Sequence, residues 1–362
     1  MKVEAVETRT LVLKPERPIG SALGTLSSFG CILVTVRGEG VFGENIIFTL
    51  NDRRTQVLRT QIEEMADLVI GQDAGHIAGF WKRAWRDINF LGTKGVPVVG
   101  ISALDGALWD LFGKASGLPL YRILGGASDR VAAYHSGGLW LDRSTDELVR
   151  EAVGYREAGF RAMKMRLSGQ DHDRDVARVR AVREALGPDV KLMADANQGM
   201  TEAEAIRLGR RLEEFDLTWF EEPLPAHDLE GLARVAAALD TPIASGETDY
   251  TRYAFRRMLE LRTVDVVMPD LQRVGGVTEF MRVGHLADAY DVPVSSHLFS
   301  EQSLSVLGAL GNAQYLEWMP WFAELYRERV DFADGFAIVP ERPGFGFTFD
   351  QDRVTHLERQ GA

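Results

Sequence analysis

Residues 191–224, KLMADANQGMTEAEAIRLGRRLEEFDLTWFEEPL, decide the fold. The stretch opens on a short apolar run that ends at Asp195 and crosses a polar turn. It then enters a segment, Glu202 to Phe215, whose apolar positions recur at helical spacing, and returns to a second apolar run ending at Glu221 and Glu222. Strand, loop, helix and strand in roughly 30 residues make one βαβ unit. Working outward, residues 162–167, 242–245, 264–268 and 293–296 are further short β-rich runs, and residues 173–186 form another helical one. Such alternation predicts a parallel sheet covered by helices, either open or closed into a barrel. Residues 126–325 have room for about eight units. An open nucleotide-binding sheet would carry a glycine fingerprint after its first strand, but this segment has no GxGxxG and the chain has no Walker A motif.

Upstream the pattern changes. Residues 31–36 (CILVTV) suit a strand, and Gly38, Gly40 and Gly43 supply turns. From Thr55 to about Leu91 the spacing is helical, and residues 101–114 (ISALDGALWDLFGK) read as a buried packing helix. The Pro and Gly punctuation of residues 118–126 (LPLYRILGG) marks a connector. The expected organisation is therefore an α+β domain over residues 1–125, a barrel over 126–325, and a segment, 326–362, that returns to pack on the first domain. That tail is strand-like over residues 332–350, with a turn at Pro343 and Gly344. At 362 residues, two domains are the natural expectation.

Hydrophobic residues make up 45% and charged residues 26%, an ordinary globular balance, and no apolar run is read as approaching the roughly 20 residues that cross a bilayer. The first 20 residues alternate charged and apolar positions without a signal-peptide core, so a cytoplasmic protein is expected. A net charge of -12 argues against general attraction to nucleic acid or anionic membrane, and an acidic ligand would need local cations. Cys31 is the single cysteine, which excludes an intramolecular disulfide and a thiolate metal cluster and suits a small buried side chain.

The chemistry is positional. Lys164 and Arg166, Asp195 and Asn197, Glu221 and Glu222, Glu247, Asp270, His297 and Glu317 end one candidate strand after another. In a barrel those ends converge on the catalytic face. Asp195, Glu221 and Glu247 are each 26 positions apart, one strand-loop-helix unit. Three converging carboxylates repel one another unless a cation lies between them, and an all-oxygen set favours a hard ion such as Mg²⁺. Lys164 and Arg166, two apart on a strand, share a face and would neutralise a substrate carboxylate or its enolate. Lysine could serve as a base at a depressed pKa, whereas arginine is a poor one. Asp270 and His297 end neighbouring strands, where a hydrogen bond between them would fix the tautomer of a general base or acid. Glu317 would donate a proton if kept neutral, or bind a hydroxyl.

With these positions assembled, the chain resembles the mandelate racemase branch of the enolase superfamily. The motifs that carry the resemblance are ALDGALWDLFGKA, AMKMR, MADANQG, WFEEPL, SGE, MPDLQRVGGVT, SSHLF and LEW, in matching order nearly end to end. It implies a capping α+β domain over a (β/α)7β barrel, completed by the C-terminal tail, with Mg²⁺ on Asp195, Glu221 and Glu247. It also implies that Lys164 helps neutralise the substrate carboxylate, that Asn197 lies near metal and substrate, and that His297, supported by Asp270, is the base. Glu317 would donate a hydrogen bond to the forming enediolate, a capping loop around Ser21 and Phe29 would close over substrate, and the assembly would be a homo-oligomer, a dimer or octamer. One position departs: racemases of this branch carry Lys-x-Lys, and here the second lysine is Arg166. A single base on His297 favours dehydration of an aldonic or aldaric acid to a 2-keto-3-deoxy acid. The alternatives are a racemase, epimerase or cycloisomerase using the same enolate, a Schiff-base aldolase on Lys164, and a non-catalytic binding barrel.

Overall fold

The computed structural model describes residues 1–21 and 24–361. The strand β1 (Ala5–Leu13) leads through a short hairpin, β2 (Ile19–Ser21) and β3 (Gly24–Leu26), into β4 (Phe29–Gly38) and β5 (Val41–Leu50). Strands β1, β4 and β5 pair antiparallel in that order, with Leu11 opposite Cys31 and Phe29 opposite Leu50. Cys31 is fully buried at the centre of this sheet, as a small apolar side chain should be.

Against one face of the sheet lie α1 (Thr55–Met65), α2 (Ile77–Asp87) and α3 (Val96–Ser116), followed by the single turn α4 (Leu120–Ile123). Helix α3 begins five residues before the expected packing helix, because Pro97 preorganises its first turn, and it ends at Gly117 in the left-handed region. A Cβ on Gly43 would collide with the α3 backbone at Ala107 and Leu111, so glycine there lets sheet and helix touch. The sequence reading that no apolar run approaches a bilayer span needs correction. The 21 residues of α3 are long and apolar enough to cross one, yet 78% of the apolar window is buried inside the protein. A helix apolar on every side is what a central packing position requires.

From Arg130 onward the chain alternates strand and helix: β6 (Arg130–His135), α5 (Thr145–Glu157), β7 (Ala162–Arg166), α6 (His172–Leu186), β8 (Lys191–Asp195), α7 (Glu202–Leu212), β9 (Phe220–Glu221), α8 (Leu229–Ala238), β10 (Ile243–Ser245) and α9 (Thr251–Leu261). It continues as β11 (Val266–Val267), α10 (Leu271–Val274), α11 (Gly276–Asp288), β12 (Val294–Ser295), α12 (Ser300–Leu307) and β13 (Ala313–Trp318). Every neighbouring pair from β6 to β13 is parallel, and β13 pairs back onto β6 through Glu317 opposite Tyr134, so the sheet closes into a barrel of eight strands. This is the expected (β/α)7β barrel. Inside it, Tyr134, Trp219 and Tyr315 pack edge to face above Met193 and Met268, an apolar plug beneath the strand ends.

The tail does more than return to the first domain. Strands β14 (Phe332–Ala333) and β15 (Phe336–Ile338) form a hairpin, and β15 pairs antiparallel with β6 of the barrel. Beyond the turn at Gly344 the backbone bonds to Leu118, Leu120, Asp110 and Glu44. Helix α13 (Gln351–Gly361) then packs on β1, where Arg9 holds Glu358 bidentately.

Candidate active site

At the C-terminal ends of the barrel strands a cleft opens toward the first domain. Lys164 and Arg166 both project into it from β7, in register with Met193 and Asp195 of β8. Asp195 in turn faces Glu221 across β8 and β9. Glu247 lies two residues beyond β10, after Gly246 at φ +128°, where a Cβ would strike Phe255. Asp270 and His297 are bridged backbone to backbone just past β11 and β12. The turns leaving these strands are bent hard: Asn197, Gln198, Glu222, Leu298 and Phe299 all hold positive φ. Non-glycine residues in that region mark segments held in place by their surroundings, often at functional sites.

The charges are dense and buried. Lys164, 1% exposed, is ion-paired with Glu221, with Glu317 at 3.0 Å and with Asp195 at 3.5 Å. Burial opposes its charge, but these three carboxylates outweigh it and hold the ammonium well above its ordinary pKa. Glu221 accepts a hydrogen bond from Trp219 Nε1 at 2.7 Å, yet burial pushes it up to about 8, and its acidic neighbours add to the push despite Lys164. Glu222 is raised further by burial and by Glu247. His297 Nδ1 lies 2.7 Å from Asp270 Oδ2, and Nε2 is 3.3 Å from Glu247 Oε2. Burial lowers the imidazole, but Glu247, the Asp270 bond and Glu317 together raise it to about 9.

Among the described residues no three such side chains stand as a ready ligand cluster. The carboxylates are engaged instead by Lys164, Trp219, Arg273 and His297. The donor set nevertheless fits a hard cation. Asp195 and Glu247 line the cleft, Glu221, Glu222, Asp270 and Glu317 are buried beside them, and these six carboxylates outnumber Lys164, Arg166, Arg273 and His297.

Residues 5–125 match the mandelate racemase / muconate lactonizing enzyme N-terminal domain, and residues 147–353 match the enolase C-terminal domain-like family. The chain belongs to the mandelate racemase branch of the enolase superfamily. It is 35% identical over 328 residues to the L-talarate/galactarate dehydratase of Salmonella typhimurium, covering 90% of this chain and 82% of that one. It is 33% identical over 345 residues to the 3,6-anhydro-alpha-L-galactonate cycloisomerase of Streptomyces coelicolor, 95% of each chain. Among solved structures, a racemase from Streptomyces coelicolor with bound magnesium superposes with a TM-score of 0.95 at 31% identity, covering 98% of this chain and 99% of that one.

Within the family, the departure at Arg166 acquires a geometry. Its Nη1 donates to the Ser136 carbonyl at 2.8 Å and the Gly138 carbonyl at 3.3 Å, and Nη2 donates to Ser136 Oγ at 2.8 Å. The guanidinium carbon stacks 4.0 Å from the centroid of Trp140. The side chain is thus tied to the loop after β6, with Nε, 3.8 Å from Asp195 Oδ2, left without a hydrogen-bond partner. Asn197 is also anchored: its backbone and side-chain nitrogens both donate to Asp195, at 2.8 and 3.1 Å.

Two expected residues stand differently from the sequence reading. Glu317 Oε2 accepts from the Leu298 N–H at 2.7 Å, and although burial opposes ionisation, Lys164, His297 and Arg166 hold its pKa below the usual range. In this arrangement it is an acceptor, and the donor role expected of it would need a proton. Phe29 is not on the cleft wall; it stacks at 4.3 Å on Trp321, which is. The side chain of Ser21 lies outside the described residues.

Sequence reasoning missed Arg273, Trp140, Trp321 and the part of the apolar roof that β5 supplies. Arg273 Nη1 donates to the Glu247 carbonyl at 2.8 Å, and its backbone N–H is capped by Asp270. The spacing of Asp270 and Arg273 in MPDLQR was available as a signal. Leu26 of β3 lies in the loop expected to close over the substrate, whereas Phe48 and Leu50 come from β5, and nothing in their local sequence points at a cleft.

Proposed function

We propose that the chain is a magnesium-dependent hydro-lyase that dehydrates an acid sugar to its 2-keto-3-deoxy acid. One observation carries the reading: a complete base dyad, His297 on Asp270, shares the cleft with a guanidinium whose two Nη groups are tied to the loop after β6. Asp195, Glu221 and Glu247 would hold Mg²⁺, which supplies electrostatic stabilisation of the charge that develops on the substrate carboxylate. Lys164 neutralises that carboxylate from the barrel floor, and Asn197 orients it beside Asp195.

His297 Nε2 accepts the C2 proton as the C2–H bond breaks. Glu247 is chief among the carboxylates that raise His297, so engaging Glu247 as a ligand brings the imidazole toward the range of a working base. The resulting imidazolium returns the proton to the C3 hydroxyl as the C3–O bond breaks. One water leaves, and the enol tautomerises to the ketone. Arg166 is a positioning group and a fixed positive charge, since a guanidinium does not give up its proton here. Lys164, held fully charged by three carboxylates, is a poor Schiff-base nucleophile, which speaks against an aldolase.

A cycloisomerase is the second reading, favoured by the 95% mutual coverage with the Streptomyces coelicolor enzyme. Incubation with Mg²⁺ in D₂O against aldonic acids, aldaric acids and mandelate, followed by proton NMR with His297→Asn as control, separates the two. A 2-keto-3-deoxy product lost in the variant supports dehydration. Deuterium at C2 with the C3 hydroxyl retained moves the assignment to isomerase chemistry. The reading extends to a homo-oligomer, a dimer or octamer, because Phe90 and Leu91, 99% and 65% exposed, gain from being covered. A monomer in sedimentation velocity at micromolar concentration would remove that extension.

A further inference from the structure

The cleft has two chemically distinct halves. The floor gathers every charged lining group: Lys164, Arg166, Asp195, Glu247, Arg273, His297 and Glu317. The roof and far wall are built from Leu26, Phe48, Leu50, Trp140, Met319 and Trp321, without a charged or hydrogen-bonding side chain except the two indole N–H groups. Among the described residues, each that the first domain contributes to the wall is apolar, and residues 19–29 contain no charged residue in their sequence.

Each of the three floor cations already has a partner. Lys164 is shared among Glu221, Glu317 and Asp195, and Arg166 is forked onto Ser136 and stacked on Trp140. Arg273 is bonded to the Glu247 carbonyl and stands 3.7 Å from its carboxylate. A substrate whose reacting carboxylate sits on the floor therefore extends its other end against leucine, phenylalanine and tryptophan. A second carboxylate there would lose its water without gaining a counter-ion, whereas a C–H-rich or methyl end would be welcome beside the indole faces.

We infer that the site selects monocarboxylic 2,3-dihydroxy acids with an uncharged, apolar far end, the ω-deoxyaldonate class, over aldarates. The inference rests on the dehydratase reading for the reaction, but it concerns the wall and is read by binding as well as by turnover. The probes are matched six-carbon trios in the galacto, gluco and manno series: the 6-deoxyaldonate, the aldonate and the aldarate. They are compared by kcat/KM with the Mg²⁺-loaded enzyme and by calorimetric affinity for Mg²⁺-loaded His297→Asn.

The expected order in the preferred series is deoxyaldonate at or above aldonate, with the aldarate weaker by about 100-fold or more. Leu50→Arg, which places a cation on the wall, should shift the aldarate-to-deoxyaldonate ratio upward by about 10-fold or more. If no trio is turned over but the affinity order holds, the dehydratase reading fails and the wall inference stands. An aldarate bound or turned over as well as its deoxy counterpart would overturn it, making Arg273 or a neighbouring subunit the counter-ion. So would the absence of measurable binding across all three series.

Discussion

At the scale of the residue, His297 and Arg166 carry the most information. A dyad at 2.7 Å leaves one imidazole nitrogen for proton transfer, and removing a positioned base commonly costs about 10²- to 10⁴-fold in rate. His297→Asn is expected to lower kcat by that range while leaving Mg²⁺ binding, followed by thermal shift, in place; unchanged kcat would remove the histidine from the reaction. Arg166→Lys keeps the charge but cannot reproduce the fork to the Ser136 carbonyl and hydroxyl or the stacking on Trp140. We expect kcat to fall by about 10- to 100-fold, since a charge-assisted hydrogen bond is worth roughly 1.5–3 kcal/mol. A lysine variant as active as the parent would mean that the fork does nothing for the reaction. The identity of both residues was plain in the sequence. The tie-down of Arg166 was not, because its partners lie 28 to 30 residues upstream in a loop that follows a strand the sequence reading had not named.

At the scale of the element, helix α3 is held to the barrel by a buried acid. Asp105, fully buried, accepts the Thr278 N–H at 2.9 Å at the start of α11, while its other oxygen has no partner. Burial pushes its pKa up to about 7, against the pull of the Thr278 bonds. Because the folded pKa exceeds the unfolded value of 3.8, the folded state binds more protons between about pH 4 and pH 7. This group therefore withdraws stability as pH rises through that window, on the order of 4 kcal/mol in full. Asp105→Asn, which cannot ionise, should flatten this slope; equal drops in urea midpoint between pH 5 and pH 8 for variant and parent would refute the assignment. The helical segment from Glu202 was legible, and the structure adds a cap the sequence reading had not named, Glu204 accepting from the Thr201 backbone N–H at 2.9 Å and from its hydroxyl at 2.6 Å. Strand lengths were not: β9, β11 and β12 are only two residues long, because the barrel staggers its pairing and closure rather than propensity decides where each ladder ends.

At the scale of the whole molecule, the strand ends hold six buried carboxylates, Asp195, Glu221, Glu222, Glu247, Asp270 and Glu317, against Lys164, Arg166, Arg273 and His297. A divalent cation should therefore stabilise the fold itself. At about 100 times its dissociation constant Mg²⁺ should add about 2.7 kcal/mol, raising the melting temperature over that in EDTA, and Asp195→Asn should abolish most of the rise. A melting curve indifferent to Mg²⁺ would contradict the ligand assignment. The sequence by itself determined the repeating βαβ order and the polar residue at the end of seven of the strands, because alternation and 26-residue spacing are local, periodic signals, while closure into a barrel was implied by the family resemblance alone. Only the tertiary structure decided what surrounds those residues. Leu26, Phe48 and Leu50 reach the cleft from a separate domain, Arg166 is claimed by Ser136 and Trp140, and Glu317 is held ionised by Lys164. The contacts of Arg166 and Glu317 join residues from 26 to 153 positions apart. Their energies depend on burial and on neighbouring charge, and neither quantity is carried by the local order of the chain.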